Sequence, residues 1–100
     1  MSDLIIRRVV VCGRVQGVGF RAWVEDTAIL NGLDGWVRNR RDGTVEAVFA
    51  GSASAVAAMT AACWQGPPSA RVDAVDEHDA GPADLAKRRG GDGFTVLPTT

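Results

Sequence analysis

Gly13-Arg14-Val15-Gln16-Gly17-Val18-Gly19-Phe20-Arg21 lies between two segments of opposite character. Before it, Leu4 to Cys12 is rich in Ile and Val without clean polar alternation, which predicts a central strand covered on part of both faces. After it, Phe20 to Leu30 has helical spacing. Phe20, Val24 and Ala28, with Trp23, Thr27 and Leu30 beside them, form the expected buried side, and Glu25 and Asp26 face water. Glycines in a strand-to-helix connection admit positive φ, so successive amides turn inward as an anion-binding nest. The helix start adds unpaired N–H groups and the positive end of its dipole. Against that dipole a cation in the first turn costs about 0.3–1 kcal/mol. Arg21 is therefore misplaced unless an anion sits there. The stretch spells a small phosphate site: the loop from Arg14 through Val15, Gln16, Gly17, Val18 and Gly19 to Phe20, closed by the guanidinium of Arg21.

The rest of the chain completes the pattern. Asn31-Gly32 stops the helix. Leu33 to Asn39 and Thr44 to Ala50 read as paired strands around the hairpin signal Asp42-Gly43. Ser52 or Ser54 caps a second helix running to about Gln65, with Val56, Met59 and Cys63 on one face, and Gly66-Pro67-Pro68 ends it. Ala70 to Val75 is another strand, with Val72 and Ala74 on the opposite side from Val75. Asp79 to Gly93 has little pattern and reads as a long loop with one short turn at most. Phe94 to Leu97 is a short closing strand at a sheet edge. The expected fold class is α+β: a ferredoxin-like βαββαβ sandwich, two helices on one face of a mostly antiparallel sheet, with a short extra C-terminal strand.

One hundred residues, 46% hydrophobic and 23% charged, suit a single domain over 1–100. A net charge of −1 supplies no general field for nucleic acid or anionic membrane. An RNA-binding module of the same topology would need solvent-facing aromatics on the two central strands; Leu4 to Cys12 has none, and the sequence has no tyrosine. The uncharged stretch Gly51 to Ala70 is too weakly apolar to span a bilayer, and the start Met1-Ser2-Asp3 has no signal character, so a cytoplasmic location is expected. Cys12 and Cys63 read as buried thiols, and His78 as a surface residue. Two cysteines and one histidine offer no usual metal set, so no metal and no cofactor are expected. The expected partner is a small molecule alone, with a monomer as the default state.

The quoted stretch closely resembles the signature loop of acylphosphatases. A second signature appears as Gly35-Trp36-Val37-Arg38-Asn39, followed by Asp42-Gly43-Thr44-Val45-Glu46. Weaker echoes at Ala28, Gly32-Leu33, Gly51, Gly66-Pro67, Ala70, Val72, Phe94 and Val96 extend the resemblance from about Arg8 to Val96. It implies hydrolysis of an acyl phosphate to a carboxylate and inorganic phosphate. The loop amides and Arg21 would hold the phosphate, and Asn39 would orient the attacking water. Arg40-Arg41 departs from the neutral hairpin residues common in the family.

The residue chemistry is compatible with that assignment. An acyl phosphate is an activated mixed anhydride, so positioning and charge stabilisation matter more than a strong nucleophile. Arg21 offers planar bidentate donors at any physiological pH. Asn39 both accepts and donates hydrogen bonds, yet near a hairpin it would also serve as a turn former. Arg14, Arg38, Arg40 and Arg41 form either a solvated basic face or a steering patch. A non-catalytic module that binds phosphate or carbamoyl phosphate inside a larger protein is the alternative to an enzyme.

Overall fold

The Ile- and Val-rich run forms β1 (Leu4–Arg14), the longest strand of a computed structural model that describes residues 4–88 and 93–100. It is followed by α1 (Phe20–Leu30), β2 (Asp34–Asn39), β3 (Val45–Ser52), α2 (Ala53–Cys63), β4 (Arg71–Asp79), α3 (Pro82–Leu85) and β5 (Phe94–Val96). The sheet order is β4-β1-β3-β2-β5. All pairs are antiparallel except β2 with β5. The expected ferredoxin-like α+β sandwich is thus the observed one, and the extra strand lies at the sheet edge beside β2.

Strand alternation sorts the side chains. Val9, Val11, Val37, Val45, Ala47 and Phe49 face the helices and pack with Phe20, Val24 and Ala28 of α1 and with Val56, Met59 and Cys63 of α2. Phe20, Val24 and Ala28 are spaced four apart, a stripe one residue wide. Leu30 does not join it. Two residues beyond Ala28 is about 200° around the helix, and Leu30 is 86% exposed, contrary to the expected buried side. Ser52 caps α2, its Oγ accepting from the Ala55 amide at 3.2 Å. Burial pushes the Cys63 thiol up to about 12, whereas Cys12 is only half-buried.

Two further expectations are corrected. The strand read as Ala70 to Val75 continues to Asp79, and the pairing shifts register between Cys12 and Gly13, whose partners are Ala74 and Val72. That extra residue on β4 brings Val72 and Val75 onto the same, helix-facing core instead of opposite sides. Within the stretch expected as a long loop with one short turn, that turn is α3, which covers the other face of the sheet. Leu85, like Ile6, packs against the buried cluster of Trp36, Val48 and Leu97, and the Trp36 indole donates to the Asp84 carbonyl at 2.7 Å. The loop's residues 89–92 lie outside the described residues. No periodicity could announce a four-residue helix.

On this same face Glu46, 5% exposed, accepts from Arg8 Nε at 2.6 Å and Arg38 Nε at 2.8 Å. Burial alone would push its carboxyl up; the hydrogen bonds from Arg8 and Arg38 outweigh that and hold it below the ordinary 4.5. A carboxyl lowered in this way stabilises the fold above its unfolded pKa, and the contribution fades as pH falls through the folded value. Glu46→Gln is expected to cost about 1.5–3 kcal/mol at neutral pH, the range for hydrogen bonds to a charged group. Urea midpoints of the two proteins should converge once pH falls below the folded pKa of Glu46. A constant gap down to strongly acid pH would show that the ion pairs contribute nothing.

Candidate active site

The loop after β1 takes its form from two glycines in the left-handed region, Gly17 at φ 74° and Gly19 at φ 80°. A Cβ at either would meet nothing within 4 Å, so backbone conformation alone favours glycine there. Gly19 caps α1 without any side-chain hydrogen bond, and no acidic residue occupies the first turn. The first helix-closing bond runs from Trp23 N to Gly19 O. Among the described residues, the backbone amides from Gln16 to Ala22 find no acceptor in a turn, loop or cap. They form a ring of unspent donors at a helix start.

Arg21 stands in that first turn, partly exposed, and makes no ion pair or hydrogen bond with any described residue. Asn39 reaches the same place from the sheet. As the last residue of β2 it shares the helix-facing side with Val37 and pairs with Val45. The turn beyond it is held by other groups: Arg40 N donates to Thr44 O, and Asp42 Oδ1 accepts from the Thr44 amide and hydroxyl. Asn39 Oδ1 is buried and has no hydrogen-bond partner among the described residues, a condition that costs about 1–3 kcal/mol when it stays unmet.

These groups share one cavity of about 350 Å³, walled by Gly17, Gly19, Phe20, Arg21, Glu25 and Asn39, with Val15, Ala22 and Val96 filling its sides. It brings together Arg21, Asn39 and four of the seven expected loop residues: Val15, Gly17, Gly19 and Phe20. Arg14, Gln16 and Val18 do not line it. Arg14 ends β1 opposite Arg71 and is exposed. Val18 leans on the core. The Gln16 side chain turns away, its Nε2 donating to the carbonyls of Arg40 and Thr44 at 2.8 Å each. It ties the loop to the hairpin that follows Asn39.

Glu25 was expected to face water and instead joins the cavity wall. The available signal was its position four residues after Arg21, hence on the same helix face. Val96 arrives through the parallel pairing of β5 with β2, which no local pattern reveals. Of the expected basic face, Arg38, Arg40 and Arg41 line a different cavity, with Arg8, and not this one. The sheet face an RNA-binding module would use for stacking holds Trp36 at 0% exposure, beneath α3. Among the described residues no helix is long and apolar enough to cross a membrane.

A model of the acylphosphatase family matches residues 7–95. A protein named acylphosphatase from Bradyrhizobium diazoefficiens is 60% identical over 99 residues, which cover 99% of each chain. The crystal structure of acylphosphatase from Bacillus subtilis superposes with a TM-score of 0.81 at 34% identity, covering 95% of this chain and 99% of that one. An acylphosphatase from Coxiella burnetii gives a TM-score of 0.82, also at 34% identity, over 95% and 94%.

Proposed function

Because this chain belongs to the acylphosphatase family, we propose that the loop amides and Arg21 bind the phosphoryl group of its substrate and that Asn39 holds the attacking water. The reaction is hydrolysis of an acyl phosphate to a carboxylate and inorganic phosphate. The observation that carries the residue assignment is the meeting, in one cavity, of an unpaired guanidinium, unspent amides and a buried carbonyl oxygen lacking a donor.

In this reading the phosphoryl oxygens accept from the amides between Gln16 and Ala22, and from the two-pronged donor set of Arg21. These dipoles are in place before substrate arrives, so stabilising charge in the transition state requires little reorganisation. A water molecule donates one hydrogen to Asn39 Oδ1, which leaves a lone pair directed at phosphorus. Its oxygen forms the new P–O bond while the bond from phosphorus to the acyl oxygen breaks and its electron pair leaves with the carboxylate. The water proton passes to a phosphoryl oxygen. Arg21 supplies the positive charge that a metal brings to other phosphoryl-transfer sites.

The enzyme works as one domain over 1–100, a monomer in the cytoplasm whose partner is its small-molecule substrate. Turnover of a simple aryl acyl phosphate is expected to persist in a large excess of chelator. Activity that disappears on chelation and returns with a divalent ion would overturn this mechanism. Phosphate binding without any turnover would identify the chain as a non-catalytic module instead.

A further inference from the structure

The sheet face turned away from α1 and α2 carries a second cavity, of about 440 Å³, lined by Arg8, Arg38, Arg40, Arg41, Asp42 and Glu46, with Thr100 at its edge. Three adjacent strands build its floor: Arg8 on β1, Glu46 on β3 and Arg38 on β2, with Arg38 and Glu46 directly paired across the ladder. Glu46 is nearly inaccessible and orients both neighbouring guanidiniums through their Nε atoms. Arg38 is further seated over the Trp36 ring, 4.8 Å from its centroid. With Nε engaged, the terminal nitrogens of Arg8 and Arg38 make no hydrogen bond with any described residue. Arg40 has only a long contact, 3.5 Å, to Asp42, and Arg41 pairs with no described carboxylate.

Four guanidiniums thus surround one pocket against the side-chain carboxylates of Asp42 and Glu46, with the Thr100 main-chain oxygen, which accepts from the Arg41 amide at 2.8 Å, at the rim, in a chain whose net charge is −1. Gathering like charges is unfavourable unless an anion shares them. Two of the four are already held in fixed orientation, which lowers the entropy lost on binding. The space exceeds what one phosphate fills, and the forks come from β1, β2 and the β2–β3 hairpin. We propose that this pocket is a second anion site, separate from the reaction cavity, and that it takes a compact polyanion with two or more linked phosphate groups. Nucleic acid fits it less well, since the aromatic beneath the pocket, Trp36, is fully buried and offers no stacking face.

The test is a titration of the full-length, ¹⁵N-labelled protein with inorganic tripolyphosphate at about 0.15 M salt, where exposed charges are screened beyond about 8 Å. The Nε–H signals of Arg8, Arg38, Arg40 and Arg41 should shift together and saturate, in Arg21→Ala as in the unaltered protein. Arg40→Gln and Arg41→Gln, with the urea midpoint checked for each, should each weaken binding about tenfold, the equivalent of one charge-assisted hydrogen bond. Three results would overturn the proposal: shifts confined to residues 16–21, a non-saturating drift that includes Arg14 and Arg71, or variants that bind as tightly as the parent. Tighter binding of a single-stranded oligonucleotide than of tripolyphosphate would assign the pocket to nucleic acid and overturn it too.

Discussion

Arg21→Ala is expected to lower turnover by at least about 10²–10³-fold, the loss typical of deleting one preorganised donor, and to raise KM as well. In the proposed mechanism the guanidinium contacts the phosphoryl group before and during the reaction, so its removal weakens both ground-state and transition-state binding. In the free protein Arg21 has no partner among the described residues and stands against the α1 dipole. Truncation should therefore leave the fold intact or slightly steadier, by about 0.3–1 kcal/mol. A large kinetic loss beside an unchanged urea midpoint is the pattern that marks a binding group. Near-normal kcat/KM in Arg21→Ala would mean that the amides alone hold the phosphate.

Asn39→Ala should reduce kcat by a similar factor, about 10²–10³-fold, while inorganic phosphate inhibits as strongly as before. The substitution leaves the amide loop and Arg21 in place and removes only the acceptor proposed to align water. It also removes a buried oxygen that has no partner among the described residues, so the folded state should not suffer the loss expected for a turn residue; here that role falls to Asp42. Urea midpoints check this second half. Should folded Asn39→Ala keep its kcat, the water is held elsewhere, and Glu25 in the same wall is the next group to examine. Equal loss of phosphate affinity in both variants would contradict the division of labour between the two residues.

The two residues proposed for the chemistry were reached from the sequence by different routes. Arg21 has an electrostatic argument of its own, a cation in a first helical turn behind glycines, set against a local alternative as a solvated side chain lying along the helix. Asn39 has no such argument. Its assignment depended on family resemblance, since an asparagine beside a hairpin has a strong local alternative, and only the strand pairing places it on the helix-facing side. Glu25 and Val96 depended on tertiary neighbours: a helix face turned toward the loop, and an edge strand laid parallel to β2. The long strands and α1 followed from periodicity, whereas the register shift on β4 moved Val75 without any change in pattern. The role of α3 escaped because a segment rich in Gly, Pro and charge covers the sheet through one leucine and one carbonyl, not through an amphipathic stripe.

The pair of bonds from Gln16 to the carbonyls of Arg40 and Thr44 bears on how such a chain can drift over generations. Hairpin tips are ordinarily where a lineage gains and loses residues without penalty. Here the tip between β2 and β3 is an abutment for a loop more than twenty positions away. An insertion between Arg40 and Thr44 would move both carbonyls and pull the amides out of alignment, though it touches no residue of the cavity wall. Length variation among descendants should therefore concentrate elsewhere, in the connection between α3 and β5, and the five residues from Arg40 to Thr44 should keep their number even where they change their identity.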